Sequence, residues 1–165
     1  MFVQRLASLK YIAPLFALLL LVGCSDEKTY STEGGDVTVK RNGSDIEITG
    51  ESDEGNKFTA QSGKNVEIPA DFPSDIPIYK GAKPLVVMQM DAQGQSVTLE
   101  SGDSLDTVYQ FYVDALQANG WTLEAQMDWG SQKMISATKG DHQTAVSIGS
   151  TDGKTQIVLT HSTNQ

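Results

Sequence analysis

The chain of 165 residues contains a single cysteine, Cys24, and only two histidines, His142 and His161. One cysteine excludes an internal disulfide framework, and a Cys-based zinc site requires several thiolates. Basic residues are also few: 12 Lys and Arg stand against 21 Asp and Glu, which gives a formal net charge of −9. Because nucleic acid and anionic lipid surfaces attract clustered Lys or Arg, this composition argues against a nucleic-acid partner.

Long apolar runs are missing as well. The longest apolar stretch extends from Tyr11 to Val22 and follows the basic residues Arg5 and Lys10. About a dozen residues cannot span a hydrocarbon layer, which takes roughly 20 residues of helix. A positive start, a short apolar core and small residues at its end are instead the parts of a secretory signal. Residues 1–23 are therefore predicted to be a signal peptide.

The apolar core ends in Leu21-Val22-Gly23-Cys24, which resembles the lipobox of bacterial lipoproteins. The resemblance implies cleavage between Gly23 and Cys24 and a diacylglyceryl group on the Cys24 thiol. Two or more acyl chains anchor a protein stably, whereas one chain binds only marginally. Ser25 is similar to the pattern that sorts lipoproteins to the outer membrane. We therefore expect a lipid-anchored protein on the periplasmic side of the bacterial outer membrane, or on the plasma membrane if the envelope has a single membrane.

Three segments follow the predicted cleavage point. Residues 24–35 are polar and predict a lipidated tether. Residues 36–68 contain short alternating runs separated by turn sequences, a pattern typical of an antiparallel β-meander with one apolar face. This meander is too small to bury a core alone, so we expect it to dock on the following part or to be loosely ordered. Residues 69–84 contain four prolines and predict a stiff, extended connector or a proline-rich docking segment.

Residues 85–161 carry the clearest periodicities and are predicted to form the compact domain. A hairpin precedes a helix whose N-cap is Asp103 or Ser104, and four alternating segments follow the helix. The helix is predicted to end with Gly120 in the left-handed region and with Trp121 packed back on the last turn, as in a Schellman motif. The order ββαββββ predicts an α+β fold. In it a mostly antiparallel sheet carries one helix on one face and is preceded by the small meander.

Two segments resemble a family of bacterial lipoproteins. One is Pro69-x-x-Phe72-Pro73-x-Asp75-Ile76-Pro77-Ile78-Tyr79-x-Gly81-Ala82, and the other runs from Ser101-Gly102-Asp103-Ser104-Leu105 through Phe111-Tyr112 to Asn119-Gly120-Trp121. The similarity spans roughly residues 36–161 and consists of turn, cap and core residues. It implies the architecture and the envelope location, and it carries over no catalytic residue.

Few residues are candidates for chemistry. His142 and His161 show no paired spacing, and a zinc site needs three or four convergent ligands, so we interpret them as surface residues. The acidic segment 51–56 lacks the order of an EF-hand loop and predicts a solvated turn. No serine stands in a Gly-x-Ser-x-Gly turn that would expose a nucleophile. We assign no catalytic residue, metal or cofactor, and we expect a protein that binds rather than catalyses.

Two aromatic residues are candidate partner contacts. Phe111 lies beside the main apolar stripe of the predicted helix, and Trp129 lies at a strand end. Aromatic residues are enriched at interfaces, although both could also cap the edges of the core. The expected function is a non-enzymatic binding or scaffold module that faces the periplasm and contacts an envelope protein. The alternative is a carrier of a small apolar ligand or lipid, with a pocket between helix and sheet. A hydrolase with an unrecognised site is the least favoured class.

Overall fold

The structure, a computed structural model, describes residues 26–32, 35–91 and 94–163. Gly23 and Cys24, the residues of the predicted cleavage and lipidation, lie outside the described residues. The signal peptide and the lipid anchor therefore stay predictions.

The described residues form ten strands and one helix. The first five strands are β1 (Asp26–Thr32), β2 (Gly35–Asn42), β3 (Asp45–Ser52), β4 (Lys57–Ser62) and β5 (Lys83–Met90). The remaining elements are β6 (Gly94–Ser101), α1 (Leu105–Ala118), β7 (Thr122–Asp128), β8 (Gln132–Lys139), β9 (His142–Thr151) and β10 (Lys154–Thr163). All ten strands belong to one antiparallel sheet with the order β1-β2-β3-β4-β5-β6-β10-β9-β8-β7.

The predicted α+β fold class is wrong. It separated a small meander from a two-layer domain, whereas the hydrogen-bonded ladder runs from one to the other without a break. Residues 58–62 of β4 pair with residues 86–90 of β5, so the meander is the first half of a single sheet. Asp26–Thr32, which we expected in the tether, form the edge strand β1. Backbone hydrogen bonds between β4 and β5 join the meander to the following hairpin, so the hairpin has no open edge on this side.

The helix begins and ends where the sequence places it. The Ser104 hydroxyl accepts a hydrogen bond from the Thr107 N–H at 3.2 Å, which confirms the N-cap. At the other end the Trp121 N–H donates to the Leu116 carbonyl at 3.0 Å, and Gly120 adopts a φ of +83°. This is the predicted Schellman ending, which satisfies carbonyls that the last turn leaves free.

The core lies between α1 and one face of the second half of the sheet, which we call the helix face. Directly paired residues such as Val97, Leu159 and Val146 line this face and are fully buried. The segment between β4 and β5, residues 63–82, packs on the same core and contains most of the predicted connector 69–84, whose last two residues, Lys83 and Pro84, belong to β5. Its buried side chains are Val66, Phe72, Ile76 and Tyr79. The helix and the connector therefore cover the same side of the sheet.

Candidate functional site

The first half of the sheet presents its apolar side chains on the opposite side, which we call the open face. Val87 in β5 is buried in the core on the helix face. Because successive side chains of a strand alternate between faces, Val86, Met88 and Met90 lie on the open face. The strand register extends this set across β2, β3 and β4, since directly opposite residues share a face. We call the following set the apolar patch: Val37, Val39, Ile46, Ile48, Phe58, Ala60, Val86, Met88 and Met90.

The patch is wide enough to receive a ligand. Four strands about 4.8 Å apart, each contributing positions about 6.6 Å apart, give a footprint on the order of 300 Å² once side-chain width is included. Met88 is 40% exposed, and its neighbours in the patch are partly exposed. No described helix or loop segment covers it, because α1 and the connector lie on the helix face. Contiguous apolar patches of this size on monomers are often functional.

A glycine shapes the surface of the patch. Gly50 in β3 lies opposite Phe58 in β4, and a Cβ atom on Gly50 would overlap with the Phe58 ring. The ring therefore lies over the glycine rather than standing away from the sheet. Because Gly50 has no side chain, the surface of the patch is flatter beside Met90, which pairs with Phe58 on β5.

The outer edge of the patch carries two cations. Lys28 lies opposite Val39, and Arg41 lies opposite Ile46, so both share the open face. Asp26 is the neighbour of Arg41 on β1, and all three side chains are exposed. This edge is thus positive by one charge within a chain whose net charge is −9.

The helix face of the first half is largely polar. An open groove of about 500 Å³ is lined by side chains of this face together with Arg41, Ile46 and Ser62 of the open face. Its side chains pair with one another: Lys40 lies 3.9 Å from Glu27, and the Gln61 amide donates to Glu47 at 3.3 Å. The exposed Lys40–Glu27 ion pair contributes little to stability. At one end of the groove Asp45 accepts hydrogen bonds from the Asn65 side chain at 2.6 Å and from the Lys64 N–H at 2.7 Å. These bonds lower the pKa of Asp45.

The space between helix and sheet, in which we expected a carrier's pocket, is packed with side chains. Val108, Tyr112 and Leu116 of α1 are fully buried in one cluster with Val146 and Ile148 of β9. Burial raises the pKa of Tyr112, and a hydrogen bond from the Tyr79 backbone N–H partly opposes this shift. The first half of the sheet, rather than this interface, therefore offers the apolar surface.

The two aromatic candidates have different surroundings. Phe111 is partly buried and packs edge-to-face on Tyr79, with ring centroids 5.0 Å apart, and on Tyr112 at 5.1 Å. Trp129 follows β7 and is 59% exposed. Phe111 is thus engaged within the chain, whereas the indole of Trp129 is available to a partner.

The structure brings together His142 and His161, which the sequence pattern alone did not pair. The His142 Nδ1 and His161 Nε2 atoms are 3.1 Å apart, and the rings stack with centroids 5.2 Å apart. His161 lies opposite Thr144, and Thr163 lies opposite His142, so the histidines are diagonal neighbours on one face. Counting back along both strands from the turn at residues 152–153 predicts this placement. Burial first, and then the charge of His142, lower the pKa of His161.

The described residues contain neither a cluster of three or more metal ligands nor a membrane-spanning helix. Among residues 26–32, 35–91 and 94–163, no group of three or more His, Cys, Asp or Glu side chains is placed to hold a metal ion. No helix of the same residues is long and apolar enough to cross a membrane.

Comparison with known proteins gives one match. A family model described as START domain-like matches residues 86–156, from β5 into β10 and including α1. No curated protein and no solved structure matches the chain. Residues 86–156 are therefore similar to the START domain-like family.

Proposed function

We propose that this protein is a non-catalytic module that binds the acyl chains of a phospholipid at a bacterial envelope membrane. The apolar patch on the open face is the observation that carries the proposal. The similarity of residues 86–156 to a START domain-like family supports ligand binding, although most of the patch lies before the matched segment. This is the apolar-ligand alternative of the sequence analysis, with the site moved from the helix–sheet interface to the open face.

A phospholipid is favoured by what surrounds the patch. Cys24, the predicted lipidation site, precedes Asp26 of β1 by two residues, which span at most about 7 Å. An acylated Cys24 would hold the edge of the open face at the membrane surface. Lys28 and Arg41 lie on that edge and suit the phosphate of a lipid whose chains cover the patch.

The predicted anchor would also compensate for the weak affinity expected of a shallow apolar patch. Covering about 300 Å² of apolar surface at about 25 cal/mol/Å² favours binding by roughly 7 kcal/mol. Association costs of about 4–15 kcal/mol offset most of this. A free module would therefore bind lipid weakly. Tethering to the bilayer raises the effective lipid concentration without any new contact, which makes such a shallow site useful.

The experiment is a lipid-retention assay on matched substitutions of the open face. Ile48→Asn places an amide in the middle of the patch. Val158→Asn places the same amide on the open face of β10, between Thr98 and Ser147. Full-length variants are kept in phospholipid vesicles, where the tether acts, and the phospholipid retained on residues 35–91 is captured through a photoactivatable acyl chain and quantified by mass spectrometry. The acyl chains of Cys24 remain on the protein and are counted separately.

Wild type and Val158→Asn should retain phospholipid, and Ile48→Asn should retain roughly tenfold less, since burial of an isoleucine side chain is worth about 1.5–3 kcal/mol. Equal retention by both variants, or none by the wild type, would refute the proposal.

Anchoring at Cys24 is tested separately. Cys24→Ser removes the thiol that the diacylglyceryl group requires, so the protein should leave the membrane fraction or accumulate as an uncut precursor. Intact-mass measurement of the wild type should show acyl addition on the mature chain. A wild-type mass without that addition would contradict the lipoprotein assignment and leave the patch proposal standing.

A second candidate function is contact with an envelope protein through Trp129. The 59% exposure of this side chain favours it, because tryptophan is enriched among residues that dominate binding energy. Crosslinking in the native envelope should recover a partner from the wild type and less of it from Trp129→Ala. Unchanged recovery would exclude Trp129 as the contact.

A further inference from the structure

The histidine pair has the spacing of two ligands on one metal ion. Imidazole nitrogens bind first-row metals at about 2.0–2.1 Å. Two such nitrogens on one ion are about 2.8 Å apart at a right angle and about 3.4 Å apart at the tetrahedral angle. The observed separation of 3.1 Å between His142 Nδ1 and His161 Nε2 lies within this interval.

We propose that His142 and His161 together bind a divalent transition-metal ion at the end of the β9–β10 hairpin. Imidazole ligands suit copper, nickel and zinc, and copper(II) is bound most tightly in the divalent series. The pair supplies two ligands and water completes the coordination, which agrees with the absence of any third His, Cys, Asp or Glu ligand among the described residues. Such an open, two-ligand site fits a binding or sensing role better than a structural one.

The two imidazoles can change from a hydrogen-bonded pair to a pair of metal ligands by moving protons between their ring nitrogens. Each neutral imidazole has one proton, and in the metal-free state one facing nitrogen donates it to the other. Metal binding requires lone pairs on both facing nitrogens, so both protons then lie on the outer nitrogens.

The surroundings oppose a cation only weakly. Lys139 lies opposite His142 on β8, but its ammonium is paired with the Asp75 carboxylate at 2.7 Å and with the Asn119 carbonyl at 2.9 Å. The Asp75 charge also acts on His161. The Thr163 hydroxyl lies 3.5 Å from His142 Nδ1 and can orient a bound water.

Copper(II) is the probe, because its electron paramagnetic resonance spectrum counts coordinated nitrogens. His142 and His161 are the only histidines in the chain, so every imidazole signal comes from this pair. The full-length protein should bind one copper ion with two imidazole nitrogens. His161→Gln should leave one imidazole nitrogen and weaken binding roughly tenfold or more, because the second ligand no longer acts at high effective concentration.

Two further variants separate geometry from histidine content. The double change His161→Gln with Ser162→His keeps two histidines but moves one to the other face of β10, and it should behave like His161→Gln. Thr163→Val should keep the two-nitrogen spectrum. Circular dichroism checks that each variant is folded. A single-imidazole spectrum for the wild type, or a two-imidazole spectrum for the double change, would overturn the proposal.

Discussion

The two halves of the sheet carry their apolar side chains on opposite faces. In β6–β10 the helix face is apolar and buried, whereas much of the open face carries hydroxyl side chains: Ser96, Thr98, Ser136, Ser147 and Thr160. In β2–β4 the open face is mostly apolar, with charged side chains at its outer edge on β1 and at Arg41. The helix face of β1–β4 carries one row of threonines and one of charged or amide side chains. These rows are Thr29, Thr38, Thr49 and Thr59, and Glu27, Lys40, Glu47 and Gln61.

The apolar side chains change from one face to the other at β5, where both faces are apolar. Val87 enters the core, while Val86 and Met88 belong to the patch. The ladder of hydrogen bonds is thus continuous, but the apolar burial is not. Backbone pairing alone contributes little net stability, and ladders without a covered face open more readily. We therefore expect the second half to hold most of the stability and the first half to be the part that changes on binding.

A matched truncation of isoleucine tests the difference in stability between the two halves of the sheet most directly. Ile157→Ala in β10 removes a fully buried side chain from the core and should lower the free energy of unfolding by about 2–5 kcal/mol. Ile48→Ala in β3 removes the same atoms from the partly exposed patch and should cost about 1 kcal/mol or less. Both values follow from chemical denaturation of the two variants beside the wild type.

Equal costs at the two positions would mean that the patch is covered in the free protein. A cost at Ile48 that appears only when phospholipid is present would instead strengthen the proposed function, because a bound ligand stabilises the folded state that binds it.

Local signals in the sequence predicted much of the second half. Ser104 and Gly120 are recognised by their side-chain chemistry alone, because a cap depends on neighbours a few residues away. The pairing of residues 58–62 with 86–90 spans the proline-rich connector, and no local pattern reports it. The apolar alternation of the meander was visible, but the face on which it lies depends on the register between β4 and β5. The fold-class prediction failed at this point.

The candidate sites show the same limit. The patch needs the long-range register, whereas the histidine pair follows from one hairpin and could have been found. Counting from Asp152 and Gly153 places His161 two residues from the partner of His142. Phe111 was singled out for its place beside the helical stripe, yet Tyr79, which comes from the connector, packs against it.

A glycine substitution tests whether the helix end belongs to the more stable half. Gly120→Val forces a side chain into a φ of +83° and should cost about 1–2 kcal/mol. Gly102→Val is the control, since Gly102 has no positive φ and a Cβ there would meet no atom within 4 Å. Thermal unfolding followed by circular dichroism measures both. A midpoint for Gly120→Val equal to that of Gly102→Val would contradict the Schellman role.

Acid should loosen the first half through Asp45. Hydrogen bonds from the Asn65 side chain and the Lys64 N–H lower its pKa in the folded state below 3.8, the value for an unperturbed aspartate. The unfolded chain then binds the proton more readily, so the stabilisation is complete above about pH 3.8 and is lost as the pH falls through the folded pKa. Hydrogen exchange between pH 2 and 5 should show earlier opening around β3 and β4 in wild type. Asp45→Asn should remove that acid-dependent step, and a step that persists in this variant would assign it to another carboxylate.

The smallest effect is expected at Trp129, and the other tryptophan supplies its control. Trp121 is 4% exposed, and its Nε1–H donates to the Asp75 carbonyl at 3.1 Å, so Trp121→Ala should cost about 3–5 kcal/mol. Trp129 is 59% exposed, and its backbone N–H, not its indole, donates to Gln132 at 2.9 Å. Trp129→Ala should therefore change the free energy of unfolding by about 0.5 kcal/mol or less. A loss of several kcal/mol would show that the indole packs against the fold and is not available to a partner. A negligible loss would mean that the Trp129 side chain contributes little to folding and remains free to bind a partner.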